Sequence, residues 1–169
     1  MTSRAEASDG LVARIGAALL ARGATMAAAE SCTGGLVAAA CTSRAGSSAW
    51  FERGVVTYSN AAKTELLGVS ATLIVGHGAV SAEVARAMAD GLLVRSPAQF
   101  VVAVTGIAGP DGGTPAKPVG TVWIATAARG GLAEATLLNA SGDRAAVRER
   151  SVARALALLL DRINAQRPR

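Results

Sequence analysis

The sequence predicts an α/β fold, a layered structure around a sheet with mixed strand direction. Short apolar runs of strand length alternate with helical patterns along the chain. The last two apolar runs, residues 120–127 and 133–138, flank Gly130 and Gly131 as the two strands of a hairpin would. Of the 169 residues, 51% are hydrophobic and only 3% aromatic, so the core must be built from small and aliphatic side chains.

The length corresponds to a single domain with a substantial core. We assign this domain to residues 10–165. Residues 1–9 are mostly small and polar, and we expect them to form a flexible N-terminus. No internal repeat and no linker divides the sequence.

The first half of the chain carries three helical patterns and two strand patterns. In chain order these predict a helix over residues 11–20, a strand over 25–29, a buried helix over 35–41, a turn over 44–48, a strand over 54–58 and a helix over 60–67. Ser59 is expected to cap the last of these helices, and Gly68 to end it.

The second half adds the sheet centre and the hairpin. In chain order it predicts a connection over residues 77–80, a helix that opens at Ser81 and ends near Leu93, a strand over 100–104, a loop over 105–119, the hairpin strands and a helix over 141–165. The strand over 100–104 is wholly apolar, as is typical of a sheet centre. The loop over 105–119 is rich in Gly and Pro and too long for a plain connection, which makes it a functional candidate.

One strand-to-helix turn has the composition of a reactive site. Residues 29–35, AESCTGG, connect the strand over 25–29 to the next helix. The Ser31 hydroxyl would project from the carboxyl end of the strand, near the free N–H groups and positive dipole end of that helix. Such a turn can hold an anion or stabilise an oxyanion, and Gly34 and Gly35 let a substrate approach the backbone. The alternative is that Ser31 or Thr33 simply caps the helix.

The use of lysine points to a base for Ser31. The 17 basic residues include only two lysines, Lys63 and Lys117, so each lysine is a candidate for a position that arginine cannot fill. Lysine loses its proton when desolvated, whereas arginine effectively does not. Lys63 follows the only tyrosine, Tyr58. A serine, a lysine and a tyrosine suffice for one type of hydrolase, although Lys63 could equally be an exposed helix lysine and Tyr58 a packing residue.

Other nucleophiles and bases are weaker candidates. Cys32 follows Ser31 and is expected to point into the core, because neighbours on a turn point in opposite directions. His77 is the only histidine and would have to serve any Ser-His-Asp triad, but its Gly-flanked position favours a structural role. Thr105 and Gly106 stand at the carboxyl end of the central strand, where α/β sheets bind ligands, or else form a plain turn.

Composition excludes several other classes of protein. No apolar stretch is long enough to span a membrane, and the small, polar residues 1–9 lead us to expect no secretory signal. Two cysteines and one histidine support neither a disulfide framework nor a metal site, so we expect a cytoplasmic protein without metal or cofactor. The net charge of +5 comes mostly from the C-terminal segment and lacks interleaved aromatic residues, so nucleic-acid binding is not expected.

Several segments together resemble the C-terminal domain of the competence/damage-inducible CinA family. Besides AESCTGG and Lys63, the segments that carry this resemblance are GSS at 46–48, GVVTYSN at 54–60, LGV at 67–69, GAVS at 78–81, TGIAGPDGG at 105–113 and KPVGTV at 117–122. Their order is the same as in the family, and they cover about residues 10–163.

The resemblance implies a three-layer α/β/α sandwich around a mixed, mostly parallel sheet. It also implies metal-free hydrolysis of the amide of nicotinamide mononucleotide (NMN), giving nicotinate mononucleotide and ammonia. Ser31 would be the nucleophile and Lys63 its base, with Tyr58 assisting. A separate N-terminal domain of CinA proteins is linked to pyrophosphatase chemistry; the chain is too short to contain it, so that activity is not expected.

The substrate would be a small nucleotide, and we expect a homo-oligomer. The residues implicated in substrate binding are Thr33, Gly34, Gly35, Ser48, Thr105, Gly106 and Arg144. Arg144, near the start of the last helix, is the first candidate for the phosphate, and Arg148 one turn later is the next. The alternative function is a non-catalytic regulatory domain whose Ser31 turn only cradles a phosphate.

Overall fold

The structure is a computed structural model that describes the backbone of residues 4–166 and the side chains of residues 9–166. Its elements, in chain order, are α1 (Arg4–Leu20), β1 (Met26–Glu30), α2 (Leu36–Thr42), β2 (Phe51–Val56), α3 (Asn60–Leu67), α4 (Ala71–His77), α5 (Ala82–Arg95), β3 (Phe100–Gly106), β4 (Thr121–Ala128), β5 (Glu134–Asn139) and α6 (Arg144–Ala165). A short 3₁₀ turn, Ser47–Ala49, precedes β2. Of the segment 1–9, for which we expect flexibility, residues 1–3 lie outside the described part, and α1 already begins at Arg4.

The five strands form one sheet in the order β2-β1-β3-β4-β5. β1 pairs in parallel with β2 and β3, whereas β4 runs antiparallel to both β3 and β5. Four strands therefore point the same way and β4 alone is reversed, which confirms the mixed, mostly parallel sheet. β3 lies at the centre, and its residues from Phe100 to Thr105 are all buried, as the apolar run predicts.

Helices cover both faces of the sheet. One core contains the inward faces of α1, α2 and α6, and it packs on β-strand side chains such as Met26, Val102 and Ile124. The other contains those of α3, α4 and α5, packed on side chains such as Ala27, Val101 and Ala125. Alternate residues of each strand enter opposite cores, as strand geometry requires. The three-layer sandwich is thus confirmed.

The ends of α3 follow the predicted capping signals. Ser59 accepts a hydrogen bond from the N–H of Ala62 at 3.0 Å, and Gly68 adopts a left-handed conformation just after the helix. Lys63 and Leu67, four residues apart, are both buried because they share the inward face of this helix.

Two local predictions need correction. The helix over residues 35–41 was expected to be buried, but in α2 only Val37 and Cys41 are buried, since this short helix covers the margin of the sheet. The sequence interpretation also omitted α4, a seven-residue helix capped by the Ser70 side chain. It fills the space between α3 and α5 before the predicted connection begins at His77.

Candidate active site

The site lies at the carboxyl ends of the two neighbouring parallel strands β1 and β2. The chain leaves β1 toward α2 on one face of the sheet, and it leaves β2 toward α3 on the other face. Connections that diverge in this way open a crevice at the strand ends, where α/β sheets bind ligands. Ser31 directly follows β1, and Thr57 directly follows β2.

Ser31 and Lys63 meet in this crevice. Lys63 Nζ lies 3.0 Å from Ser31 Oγ and donates a hydrogen bond of 2.9 Å to the carbonyl oxygen of Thr57. Only 8% of Ser31 and 1% of Lys63 is exposed. Ser31 does not cap α2, whose N-cap is Gly35 without a side-chain hydrogen bond. The hydroxyl is therefore directed to the lysine and not to the helix.

Lys63 is a buried amine without a carboxylate partner. None of the salt bridges among the described residues includes it. Desolvation by burial lowers the pKa of the Lys63 ammonium, because the protein interior disfavours the charged form. A lysine with a lowered pKa beside a serine hydroxyl has the properties of a general base.

The N-terminus of α2 is occupied by the protein's own carboxylate. The Glu30 side chain, 1% exposed, accepts hydrogen bonds from the backbone N–H groups of Gly35, Val37 and Ala38 at 3.1, 3.0 and 2.9 Å. The interpretation of this turn as a free anion-binding helix end is therefore wrong. The negative charge that the helix dipole favours is already supplied by Glu30.

Two N–H groups of the turn make no hydrogen bond to the backbone of the described residues. The N–H of Gly34 donates to the Ser31 carbonyl and that of Leu36 to the Thr33 carbonyl. Among the described residues, the N–H groups of Cys32 and Thr33 donate to no backbone carbonyl. They immediately follow the serine, the usual position for N–H groups that stabilise the oxyanion of an acyl-transfer intermediate.

Gly34 and Gly35 are required by the backbone of this turn. Their φ angles are 58° and 98°, in the left-handed region that L-residues with side chains rarely adopt. These conformations bring the chain sharply from β1 into α2. Thr33 is fully buried within the turn, and its side chain makes no hydrogen bond to the α2 N-terminus.

Two arginines of α6 reach the carboxyl edge of the sheet. Arg144 donates to the Gly109 carbonyl at 2.8 Å and to the Tyr58 hydroxyl at 3.0 Å. Arg148 donates to the carbonyl oxygens of Cys32 and Thr33 at 3.2 and 3.0 Å. Neither guanidinium takes part in a salt bridge among the described residues, so both remain able to bind an anion.

Tyr58 lies near this edge, and among the described residues its hydroxyl makes no hydrogen bond to Ser31 or Lys63. It is 61% exposed, and its described hydrogen bond is the one from Arg144. An assisting role of Tyr58 stays a prediction.

Thr105 and Gly106 end the central strand beside Ser31. The Thr105 hydroxyl donates to the Ala79 carbonyl at 2.8 Å, which ties β3 to the segment before α5. A Cβ at Gly106 would lie 2.7 Å from Val122 Cγ2, so packing against β4 alone accounts for this glycine. Both residues flank the crevice, and their contact with a substrate stays a prediction.

Ser48 is the one predicted site residue that lies elsewhere. It belongs to the 3₁₀ turn before β2, whereas Ser31 follows the end of β1. Because β1 and β2 are parallel, the start of one strand and the end of the other lie at opposite edges of the sheet. Within one chain, the interpretation of Ser48 as a substrate contact of the Ser31 site is therefore corrected.

The rival nucleophile and base are placed away from catalysis. Cys32 is buried, and desolvation raises the pKa of its thiol to about 11, so it is almost wholly protonated near neutral pH. His77 ends α4, with Nδ1 3.7 Å from Glu83 Oε2, and Lys117 donates to its carbonyl. Among residues 9–166, no group of three or more His, Cys, Asp or Glu could hold a metal ion.

Sequence reasoning missed Glu30, Thr57 and the contact of Arg148 with the Ser31 turn. A signal existed for Glu30, because a carboxylate at the end of an apolar strand, followed by two glycines and a helix, requires a partner. No comparable signal marks the Thr57 carbonyl, since every residue carries a carbonyl group.

The described helices include none that is both long and apolar enough to cross a bilayer.

Comparisons with known proteins give the family of the chain. Residues 8–163 match the CinA C-terminal domain family. The nicotinamide-nucleotide amidohydrolase PncC of Escherichia coli K12 is 53% identical over 146 residues, which are 86% of this chain and 88% of that protein. The protein of the same name from Enterobacter agglomerans is 56% identical over 138 residues, or 82% of this chain and 84% of its own length.

A longer relative and a solved structure show the same domain. A CinA-like protein of Mycolicibacterium vanbaalenii is 55% identical over 152 residues, but the chain spans only 36% of that protein's length. The crystal structure of the competence/damage-inducible protein CihA of Agrobacterium tumefaciens superposes with a TM-score of 0.90 at 45% identity. That superposition covers 94% of this chain and 96% of the other. The chain therefore belongs to the CinA C-terminal domain family.

Proposed function

We propose that this chain is an amidohydrolase that converts NMN to nicotinate mononucleotide and ammonia by a Ser/Lys mechanism, in pyridine nucleotide salvage. The observation that carries the mechanism is the distance of 3.0 Å between Lys63 Nζ and Ser31 Oγ, inside a buried site without a competing carboxylate. The substrate is supported by relatives at 53 and 56% identity that are named nicotinamide-nucleotide amidohydrolases.

In the first step Ser31 is acylated. Neutral Lys63 takes the hydroxyl proton while Ser31 Oγ bonds to the amide carbon, whose oxygen becomes an oxyanion. Collapse of this tetrahedral intermediate breaks the C–N bond. The proton on Lys63 passes to the leaving nitrogen, so that ammonia departs and an ester on Ser31 remains.

In the second step water hydrolyses the ester. Lys63, neutral again, takes a proton from the water as its oxygen bonds to the acyl carbon. Breakage of the ester bond releases nicotinate mononucleotide, and the proton on Lys63 returns to Ser31 Oγ. In both steps the oxyanion would be stabilised by the N–H groups of Cys32 and Thr33.

The phosphate of the substrate would bind on the α6 side of the crevice. Arg144 and Arg148 lie at this edge without carboxylate partners, and their hydrogen bonds to carbonyl oxygens hold the side chains in place. The Gly109 segment of the loop over 107–120 is joined to Arg144 and would form the other wall. Guanidinium groups suit a phosphate because they donate two parallel hydrogen bonds.

The alternative, a regulatory domain that only cradles a phosphate at the Ser31 turn, fits the structure less well. It requires the N–H groups of the first turn of α2, and three of these already bind the Glu30 carboxylate. A second anion there would face that negative charge. A desolvated lysine directed at the serine also has no purpose in simple phosphate binding.

One assay separates the two functions. Purified protein is incubated with NMN, and ammonia and nicotinate mononucleotide are both measured. We expect equimolar formation of the two products. Binding of NMN without either product would support the regulatory domain and contradict the enzyme.

We further propose that the protein acts in the cytoplasm, where its two free thiols remain reduced. A homo-oligomer stays a prediction.

A further inference from the structure

Thr57 lies beside Ser31 at the end of the neighbouring strand. Its N–H donates to the Glu30 carbonyl at 2.8 Å and so extends the β1–β2 pairing by one residue. Ser31 and Thr57 are therefore neighbours across the two strands. Strand alternation places the Thr57 side chain on the same face as Val55, which packs against the core of α3, α4 and α5. Lys63 approaches from that face.

The Thr57 hydroxyl is buried and unpaired. Thr57 is fully buried, and Oγ1 has no hydrogen-bond partner among the described residues. A valine side chain has nearly the same shape as that of Thr57 and would leave no unsatisfied polar atom in the interior. Buried hydroxyl groups are almost always hydrogen-bonded, so this one needs a partner from outside the protein, either water or substrate.

The neutral Lys63 amine has one N–H that is used neither by Ser31 nor by the Thr57 carbonyl. A neutral amine offers two N–H donors and one lone pair. Across the 3.0 Å that separates Nζ from Ser31 Oγ, the lone pair of the neutral amine would accept the Ser31 hydroxyl, and one N–H donates to the Thr57 carbonyl. After Ser31 is acylated, its oxygen no longer carries a proton, and the lone pair is free to accept one from water.

We propose that the Thr57 hydroxyl positions the water that hydrolyses the acyl-enzyme on Ser31, an inference that rests on the proposed amidohydrolase function. The water donates one hydrogen bond to the Lys63 lone pair and is held by Thr57 Oγ1. Its oxygen bonds to the ester carbon as Lys63 takes the proton; the ester bond then breaks and the proton returns to Ser31 Oγ. Thr57 itself neither gains nor loses a proton in the balance.

A positioning role confined to the second step predicts a specific kinetic signature. Acylation produces ammonia, whereas nicotinate mononucleotide appears only on deacylation. If Thr57 holds the water, its loss slows the second step and leaves the first nearly intact. Misplacement of a reacting group by about 1 Å costs on the order of 10²-fold in rate.

The test compares Thr57→Val with Thr57→Ser, which restores the hydroxyl, and with Thr126→Val. Thr126 is a matched control, because it is also a buried strand threonine but lies within β4. For Thr57→Val we expect a burst of about one ammonia per chain, a steady state roughly 10²-fold slower, and an acyl adduct on the intact protein by mass spectrometry. Thr57→Ser and Thr126→Val should turn over near the wild-type rate, and added hydroxylamine should release the adduct.

Two results would overturn the inference. The first is that Thr57→Val turns over NMN at the wild-type rate. The second is that its ammonia burst and its steady-state rate fall equally and no adduct forms, because the hydroxyl would then act in substrate binding or in the fold. If Thr57→Val does not fold, Thr57→Ala is measured in the same way with the same criteria. Failure of the proposed function itself is distinguishable, because wild-type protein would then release no ammonia from NMN.

Discussion

Lys63 Nζ lies 3.0 Å from Ser31 Oγ at the carboxyl ends of two parallel strands. The lysine comes from α3 on one face of the sheet, whereas the turn that carries the serine continues into α2 on the other face. Only the divergence of these two connections brings the side chains together. The pair therefore depends on the sheet topology and not on proximity in the sequence.

Replacement of the nucleophile should abolish turnover without unfolding the protein. For Ser31→Ala we expect no ammonia from NMN above background, because Ser31 carries the only hydroxyl among the described residues that is hydrogen-bonded to the Lys63 amine. Cys32→Ala is the control and should keep most of the activity, since its thiol is buried and its pKa is raised to about 11. Loss of activity in Cys32→Ala together with an active Ser31→Ala would reverse the assignment.

The pH dependence of activity should follow the lowered pKa of Lys63. Burial lowers this pKa, and the neutral amine is the base, so kcat/KM should rise with pH through the lowered pKa and level off above it. A profile that falls across the same range would contradict a lysine base.

The same lysine should make the free energy of unfolding depend on pH in the alkaline range. An unfolded chain keeps a lysine pKa of about 10.4 and binds more protons than the folded protein between the two pKa values. The free energy of unfolding should therefore rise with pH across that window and be flat on either side of it. Urea titrations of wild-type protein and Lys63→Met should differ in this slope; identical slopes would show that burial does not shift the lysine.

Loss of the Glu30 carboxylate should reduce both stability and activity. Three N–H groups of α2 would lose their acceptor in Glu30→Ala, at a cost of about 2–4 kcal/mol in the free energy of unfolding. The adjacent Ser31 would move with the turn, so kcat should fall as well. Glu65→Ala, at an exposed position of α3, should change stability by less than about 0.5 kcal/mol. Urea unfolding decides the matter, and a Glu30→Ala protein as stable as wild type would refute the capping role.

Arg144 should matter most for the phosphate end of the substrate. Loss of a charge-assisted hydrogen bond costs roughly 1.5–3 kcal/mol, so we expect Arg144→Ala to raise KM for NMN by about 10- to 100-fold. Nicotinamide riboside lacks the phosphate and should be affected much less. Arg154→Ala, on an exposed position of the same helix, serves as the control. Equal effects on both substrates would mean that Arg144 acts through its contacts with Gly109 and Tyr58 and not through phosphate.

Much of the fold was predictable because local signals agree with the tertiary structure. The apolar run over residues 100–104 forms the buried central strand. α3 begins after Ser59 and ends before Gly68, as these two capping residues predict. α4 escaped prediction because seven residues with a β-branched centre give too short a pattern to distinguish helix from connection.

The site was predictable in part. Ser31 and Lys63 could be selected by residue type, but which edge of the sheet a residue occupies depends on strand order and direction. For that reason Ser48 was placed wrongly within the chain. The capping by Glu30 was missed because a side chain reaching five to eight residues ahead is decided by packing and not by local spacing.

The central claim is that a neutral lysine activates Ser31, and Lys63→Arg tests it most directly. Arginine keeps the positive charge and much of the length but cannot offer a lone pair at any accessible pH. The measurement is the initial rate of ammonia release from NMN, with Lys117→Arg as the control, since Lys117 is only half-buried and donates to the His77 carbonyl. The account predicts a loss of about 10⁴-fold or more for Lys63→Arg and a mild effect for Lys117→Arg. A Lys63→Arg protein that releases ammonia at nearly the wild-type rate would contradict it, because charge alone would then suffice.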